Sequence, residues 1–456
     1  MTSLLRLRRF GPFFFTQALG ATNDNLLKGA LLVLIAVSHE SSAKVALLSN
    51  LAAGLFILPF LLFSGVAGEL ADRFDKARLI YLTKLAELGL MLLAAAGFLL
   101  GAPIEMLIAL LFMMGAQSTF FSPMKYSILP THLRSSELMS GNAWLGGATF
   151  IAILVGSLAG SALAAEGARG KSVLALGLVT LAAVGVVTAR AIPPAPTSGA
   201  LKGRPLQVFG VEMLKRSLKR YRLRVLLGAI AFFWFLGALY LTHMPLFVRD
   251  ALGLGPRAIS VFLALFALGI GAGSAGTHYL AKGRIDLSIS VLGLTGLSIL
   301  PPCLLLLPLA GAHGSMGRIA LGSAMIFGIG MAGGLYIVPL LAAIQRRSRA
   351  SQRGRVMAAS NWLSSLAMVI SAAYAIAMTA LLSRAGLGTP DPSAAHPAGA
   401  GALSTVTYLF ASTGILGFTL LLRELKRQPR LRHRTYRRLL HLNRKGSDKR
   451  RTPGDA

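Results

Sequence analysis

The chain has 456 residues, 54% of them hydrophobic and only 14% charged, with a mean hydropathy of +0.66. A soluble domain carries about a quarter charged residues, so this composition excludes one and points to the bilayer. The net charge of +30 does not argue for nucleic acid, because it falls mostly in alternate loops and the tail, a signature of membrane topology.

Helix-length apolar segments recur along the chain and predict an all-α membrane protein with twelve transmembrane helices. The spans fall at roughly 10–37, 45–70, 78–100, 104–129, 140–164, 171–192, 224–247, 257–281, 286–309, 317–343, 354–382 and 404–422. The apolar run after Arg6, Arg8 and Arg9 is too long, and too interrupted by charge, for a cleavable signal peptide. The first span carries Asn23-Asp24-Asn25-Leu26-Leu27-Lys28 at its centre. An acid there costs roughly 2.5–3.5 kcal/mol on insertion scales, which makes it a functional hypothesis. Asp24 and Lys28 stand one turn apart, so they either pair or each face a partner on another helix. An ion pair that only fixes helix packing is the plain alternative.

Lys and Arg are sparse in the odd loops and dense in the even ones. Arg73, Lys76 and Arg78 follow span 2, nine basic residues run from Arg190 to Arg224, and Arg346, Arg347, Arg349, Arg353 and Arg355 follow span 10. Both termini and the even loops are therefore expected in the cytoplasm, which requires an even number of spans. The expected organisation is a six-helix half over 1–192, a basic linker over 193–222, a second six-helix half over 223–423 and a basic tail over 424–456. The linker begins with Pro193, Pro194 and Pro196. It then reads either as a tether or as a headgroup-facing helix with Val208, Val211, Leu214 and Leu218 on one side. Pro123 with Asn142 in one half, and Pro339 with Asn361 in the other, suggest a parallel repeat. Cys303 lies alone in an apolar segment, so neither disulfide nor metal site follows.

The loop after span 2 reads Gly68-Glu-Leu-Ala-Asp72-Arg73-Phe-Asp-Lys76-Ala-Arg78. It resembles the G-x-L-A-D-R-x-x-K-x-R loop of the major facilitator superfamily and implies a transporter. There the glycine lets two helices touch, and Asp72 near a helix N-terminus acts as a switchable charge latch. A narrower resemblance rests on Phe15-Thr-Gln-Ala-Leu-Gly-Ala-Thr-Asn-Asp24-Asn25, Ser122-Pro123-Met-Lys125-Tyr126-Ser-Ile-Leu-Pro130, Gly141-Asn142-Ala143 and Tyr336-Ile-Val-Pro339-Leu-Leu-Ala-Ala-Ile-Gln345. These segments are similar to the bacterial lysophospholipid transporter family, whose permeases stand alone or are fused to an acyltransferase and an acyl–acyl-carrier-protein synthetase. The resemblance implies movement of lysophospholipid from the outer to the inner leaflet of the inner membrane. Reacylation would follow there, with such a cytoplasmic enzyme as candidate partner.

The family's first-span acid and amide fall on Asp24 and Asn25, and its fourth-span Lys-Tyr on Lys125 and Tyr126. Its span-7 arginine has no counterpart between Phe233 and Leu241. The nearest basic group is His243, and Lys28 is an extra cation available to compensate. A zwitterionic lysophospholipid presents a phosphate, an amine and one acyl chain. Lys125 suits the phosphate as a point charge and Asp24 suits the amine. Lys84 and Glu87, one turn apart, read as a structural pair. Gln117, Asn50 and Asn361 either line a cavity or bond between helices. No acyltransferase motif, phosphate loop or metal cluster is present, so a transporter is expected rather than an enzyme, with no cofactor and no fixed coupling ion. The alternative is a proton-coupled exporter of amphipathic drugs or metabolites, with Asp24 as the proton site.

Overall fold

A computed structural model of the chain describes residues 2–38, 41–197, 211–385, 387 and 403–427. Twelve long helices account for most of it: α1 (Gly11–Ala36), α2 (Ser42–Arg73), α3 (Lys76–Leu100), α4 (Ile104–Ser127), α5 (Leu138–Ala165), α6 (Gly167–Arg190), α7 (Tyr221–Leu246), α8 (Pro256–Ala281), α9 (Ser288–Cys303), α10 (Met316–Arg347), α11 (Arg353–Arg384) and α12 (Thr405–Arg427). Among the described residues, eleven helical segments are long and apolar enough to cross a membrane. The helix outside that set is α1, whose 26 residues span a bilayer by length while its polar centre lowers its hydropathy.

Local chemistry sets the helix ends. Ser41, Asp75 and Ser315 each accept a backbone N–H from the first turn of α2, α3 and α10, satisfying a donor the helix leaves open. Gly101, at φ +69°, closes α3 in the left-handed conformation. The ninth span departs from the expected continuous helix. After Pro301 and Pro302 the chain tightens into a 3₁₀ segment, Leu304–Ala310, because each proline removes a backbone donor from the ladder. The fourth span likewise ends at Ser127, and a separate short helix, Leu129–His132, carries Pro130 in its first turn. In the linker, Val211–Lys219 is helical; Val208 and the tail beyond Arg427 lie outside the described residues.

Helix packing repeats with a shift of six. The first half packs α1 on α5, α2 on α4 and α3 on α6; the second packs α7 on α11, α8 on α10 and α9 on α12. The halves meet through α5 on α8 and α2 on α11, a pairing that obeys the same symmetry.

Candidate functional site

The polar centre of α1 faces four different neighbours. Asp24 Oδ2 accepts from Ser118 Oγ on α4 at 2.8 Å, and its buried Oδ1 has no partner among the described residues. Lys28, one turn on, turns away and lies over the Phe56 ring of α2, 4.2 Å from its centroid. The two do not close an ion pair; each takes a partner on another helix. Asn25 packs toward α5, where an added Cβ on Gly156 would come within 3.0 Å of its own Cβ, and it donates to Ala21 O at 2.7 Å on its own helix. It therefore leaves the face that holds Asp24. Asn23 donates to Leu178 O of α6 at 3.1 Å.

Beside Asp24 lies a second charged group. Lys84 Nζ and Glu87 Oε2 of α3 pair at 2.5 Å with both side chains 2% exposed. Gln117 of α4 donates to the same Glu87 oxygen at 3.2 Å and to Thr83 O at 3.1 Å, and adjacent Ser118 reaches Gln117 Oε1 at 3.3 Å. Asp24, Ser118, Gln117, Glu87 and Lys84 thus form one chain of polar contacts across α1, α4 and α3. Gly20 makes it possible, since a Cβ there would collide with the Lys84 ammonium.

Nearer the end of α4, buried Lys125 donates to Thr149 Oγ1 of α5 at 3.0 Å, and Gln17 of α1 donates to the same hydroxyl at 2.9 Å. Tyr126 is half-buried, its ring centroid 5.2 Å from Lys125 Nζ. Away from the α2–α3 loop, the middle of the first half therefore groups three cations, Lys28, Lys84 and Lys125, with two acids, Asp24 and Glu87, among the described residues. His243 stands apart: it bonds Leu239 O of its own helix at 3.0 Å and does not join this group. Asn50 is exposed near the start of α2, and Asn361 is half-buried with its Nδ2 unpartnered among the described residues.

At the end of the bundle that carries the linker, Asp72 of α2 caps the N-terminus of α11. It accepts from Gly354 N at 2.6 Å and from Arg355 N and Nε, each at 3.1 Å. Gly68 lies against Gly354 and Ala358, with no room for a Cβ. Gly68 and Asp72 thus join the loop to the other half. Arg73 turns back to Glu69 at 2.5 Å, Lys76 is buried and donates its backbone N–H to Ala195 O at 3.2 Å, and Arg78 is exposed. Two further clasps lie at this end. Asn142 and Gln345 exchange both amide bonds at 2.8 Å, and Ser140 meets His278 at 2.6 Å.

Helical spacing pairs Lys84 with Glu87, as the structure does, but it gives no sign of the link through Gln117 and Ser118 to Asp24, of the Gln17–Thr149 contact or of the Asn142–Gln345 pair. The available signal was cumulative: polar side chains recur at mid-span on helices α1, α3 and α4 together.

A repeated twelve-helix bundle, clasped at one end and holding buried charge in its middle, is the frame of a multi-pass membrane transporter rather than of an enzyme. The model of the Major Facilitator Superfamily matches residues 13–372, and the chain belongs to that superfamily. Relatives include the Lysophospholipid transporter LplT of Salmonella paratyphi B, 29% identical over 367 residues that cover 78% of this chain and 84% of the relative. The Lysophospholipid transporter LplT of Salmonella newport matches with the same identity and coverage, 29%, 78% and 84%. Similar folds include the human organic anion transporter MFSD10, with a TM-score of 0.67 at 16% identity, covering 91% of this chain and 99% of that one. A bacterial homologue of the iron transporter ferroportin in an outward-facing state has a TM-score of 0.60 at 15% identity, with 91% and 99% covered.

Proposed function

We propose that this transporter carries lysophospholipid across the bacterial inner membrane, from the outer to the inner leaflet, for reacylation by a separate cytoplasmic acyltransferase system. The observation that carries the reading is the enclosed cluster of the first half. It holds one more cation than acid and sits in an otherwise apolar bundle. A phosphate finds Lys125 and an amine finds Asp24, while the acyl chain needs only the apolar surface between helices. The name shared by the relatives supports the same substrate class. With the basic end in the cytoplasm, the clasps at Asp72, Asn142 and Ser140 close the cytoplasmic side, and alternating access requires them to open. The test is uptake of labelled lysophosphatidylethanolamine into spheroplasts with and without the protein. Uptake that depends on the protein is expected; equal uptake overturns the substrate.

A second reading, proton-coupled export of amphiphiles, draws on the unpartnered buried Oδ1 of Asp24 and Oε1 of Glu87, which leave positions for a proton. Drug sensitivity on deletion of the gene, without change in lysophospholipid uptake, would favour it.

A further inference from the structure

A cleft of about 580 Å³ opens at the basic end of the second half, among α7, α9, α10 and α12, away from Asp24, Lys84, Glu87 and Lys125 of the first half. Its wall is apolar, built from side chains such as Val225, Leu226, Leu294 and Leu340. The polar groups at its floor are already engaged: Ser290 Oγ donates to Tyr336 O at 2.9 Å, and the Tyr336 hydroxyl donates to Ala229 O at 3.0 Å. The mouth is different. Arg222, in the first turn of α7, and Arg347, the last residue of α10, both line it. They are close enough to repel each other. Both are exposed, and neither has an ion pair or hydrogen bond among the described residues. From Tyr336 to Arg347 the cleft runs about 16 Å along α10, roughly the hydrocarbon depth of one leaflet.

An apolar slot one leaflet deep, capped by two guanidiniums with no acidic partner among the described residues, is complementary to a molecule with a long apolar chain and an anionic head. Arginine forks match phosphate oxygens, and in a bilayer the abundant molecule of that description is an anionic phospholipid. We propose that this cleft binds one anionic phospholipid from the leaflet at the basic face, its phosphate between Arg222 and Arg347 and one acyl chain along the Val225, Leu294 and Leu340 wall. Such a lipid would neutralise the repulsion at the mouth and tie α7 to α10. The proposal does not depend on which substrate the carrier moves.

The experiment is native mass spectrometry of the full chain purified in detergent and titrated with phosphatidylglycerol or with phosphatidylcholine of the same acyl chains. The expected result is retention of one phosphatidylglycerol in preference to phosphatidylcholine. The Arg222→Gln/Arg347→Gln double variant should weaken that retention about tenfold or more. The Arg346→Gln/Arg349→Gln double variant, which removes the same charge at exposed neighbours outside the cleft, should leave it at the wild-type level. Val291→Phe, judged on protein that melts like the wild type, should also reduce retention by filling the slot with both arginines present. Excess inorganic phosphate should leave the lipid bound. Equal retention in the two double variants, equal retention of both lipids, unchanged retention in Val291→Phe, or displacement by inorganic phosphate would each overturn the proposal.

Discussion

In the first half, Asp24, Lys28, Lys84, Glu87 and Lys125 lie inside the bundle. In the second half, the interior around α7 is taken by Phe233, Tyr240, Phe247, Phe262, Phe266 and Phe410. Tyr240 and Phe410 approach to 4.5 Å between centroids, and Phe247 and Phe410 to 5.5 Å. The one fully buried cation of the second half among the described residues, Arg318, stands at the start of α10, at the far end from the basic face. The helix pairing is the same in both halves, so the architecture does not demand charge in either. Each buried charge costs roughly 2.5–3.5 kcal/mol on insertion scales, whereas aromatic packing contributes about 0.5–1.5 kcal/mol per pair beyond burial. The first half accepts a cost that the middle of the second avoids, and under the proposed function that asymmetry assigns the substrate's polar contacts to the first half.

The comparison is broken most severely at the buried pair of α3. Glu87→Ala strands the Lys84 ammonium without its acid, and such a change is expected to cost about 3–5 kcal/mol, read as a large fall in the melting temperature of purified protein. Replacing both partners, as Lys84→Met with Glu87→Leu, should cost far less, and equal losses would show that the two do not act as a pair. Asp24→Asn should abolish uptake of labelled lysophosphatidylethanolamine at a normal membrane level; wild-type uptake would remove Asp24 from the pathway. Lys125→Ala should lower transport of phosphate-bearing substrates roughly tenfold or more, since a hydrogen bond to a charged group contributes about 1.5–3 kcal/mol. Neutral amphiphiles should be spared, and parallel losses would make Lys125 structural. In the second half the effects should be small. Tyr240→Phe removes one interhelical bond, from the hydroxyl to Thr413 Oγ1 at 2.8 Å, for about 0.6 kcal/mol, a shift near the limit of a melting experiment. His243→Ala should leave uptake unchanged at both acidic and neutral pH, because its ring bonds back to its own helix; an acid-specific loss would bring it into the pathway.

The helices were legible in the sequence because bilayer thickness imposes a length and an apolar composition on each of them. Most ends fell within a few residues of the apolar limits, and the structure adds the caps that set them, Asp75 and Ser315 among them. The close approach at Gly68 and the place of Asp72 at a helix N-terminus followed from the motif resemblance, and both have direct steric and electrostatic meanings. What was not legible was pairing at a distance. That Lys28 leaves Asp24 for the Phe56 ring, that Ser118 takes the vacated carboxylate, and that Gly20 clears space for Lys84 all depend on the rotation of α1 against α2, α3 and α4. Helical spacing placed Asp24 and Lys28 within reach of each other, but neighbouring helices offered each a better partner. Asn25 shows the same limit: adjacent in sequence to Asp24, it points about 100° away around the helix, toward α5.

The reciprocal amide clasp between Asn142 and Gln345 also bears on energy supply. Both groups are uncharged, so parting them moves no charge through the membrane field. The membrane potential does about 2.3 kcal/mol of work per elementary charge per 100 mV, and on this clasp it does none. Asp72, an acid held by the N-terminus of α11, is different: any displacement of it along the membrane normal is electrically visible. Under the proposed alternating access, the end of the bundle that parts joins a voltage-silent fastening to a charged one.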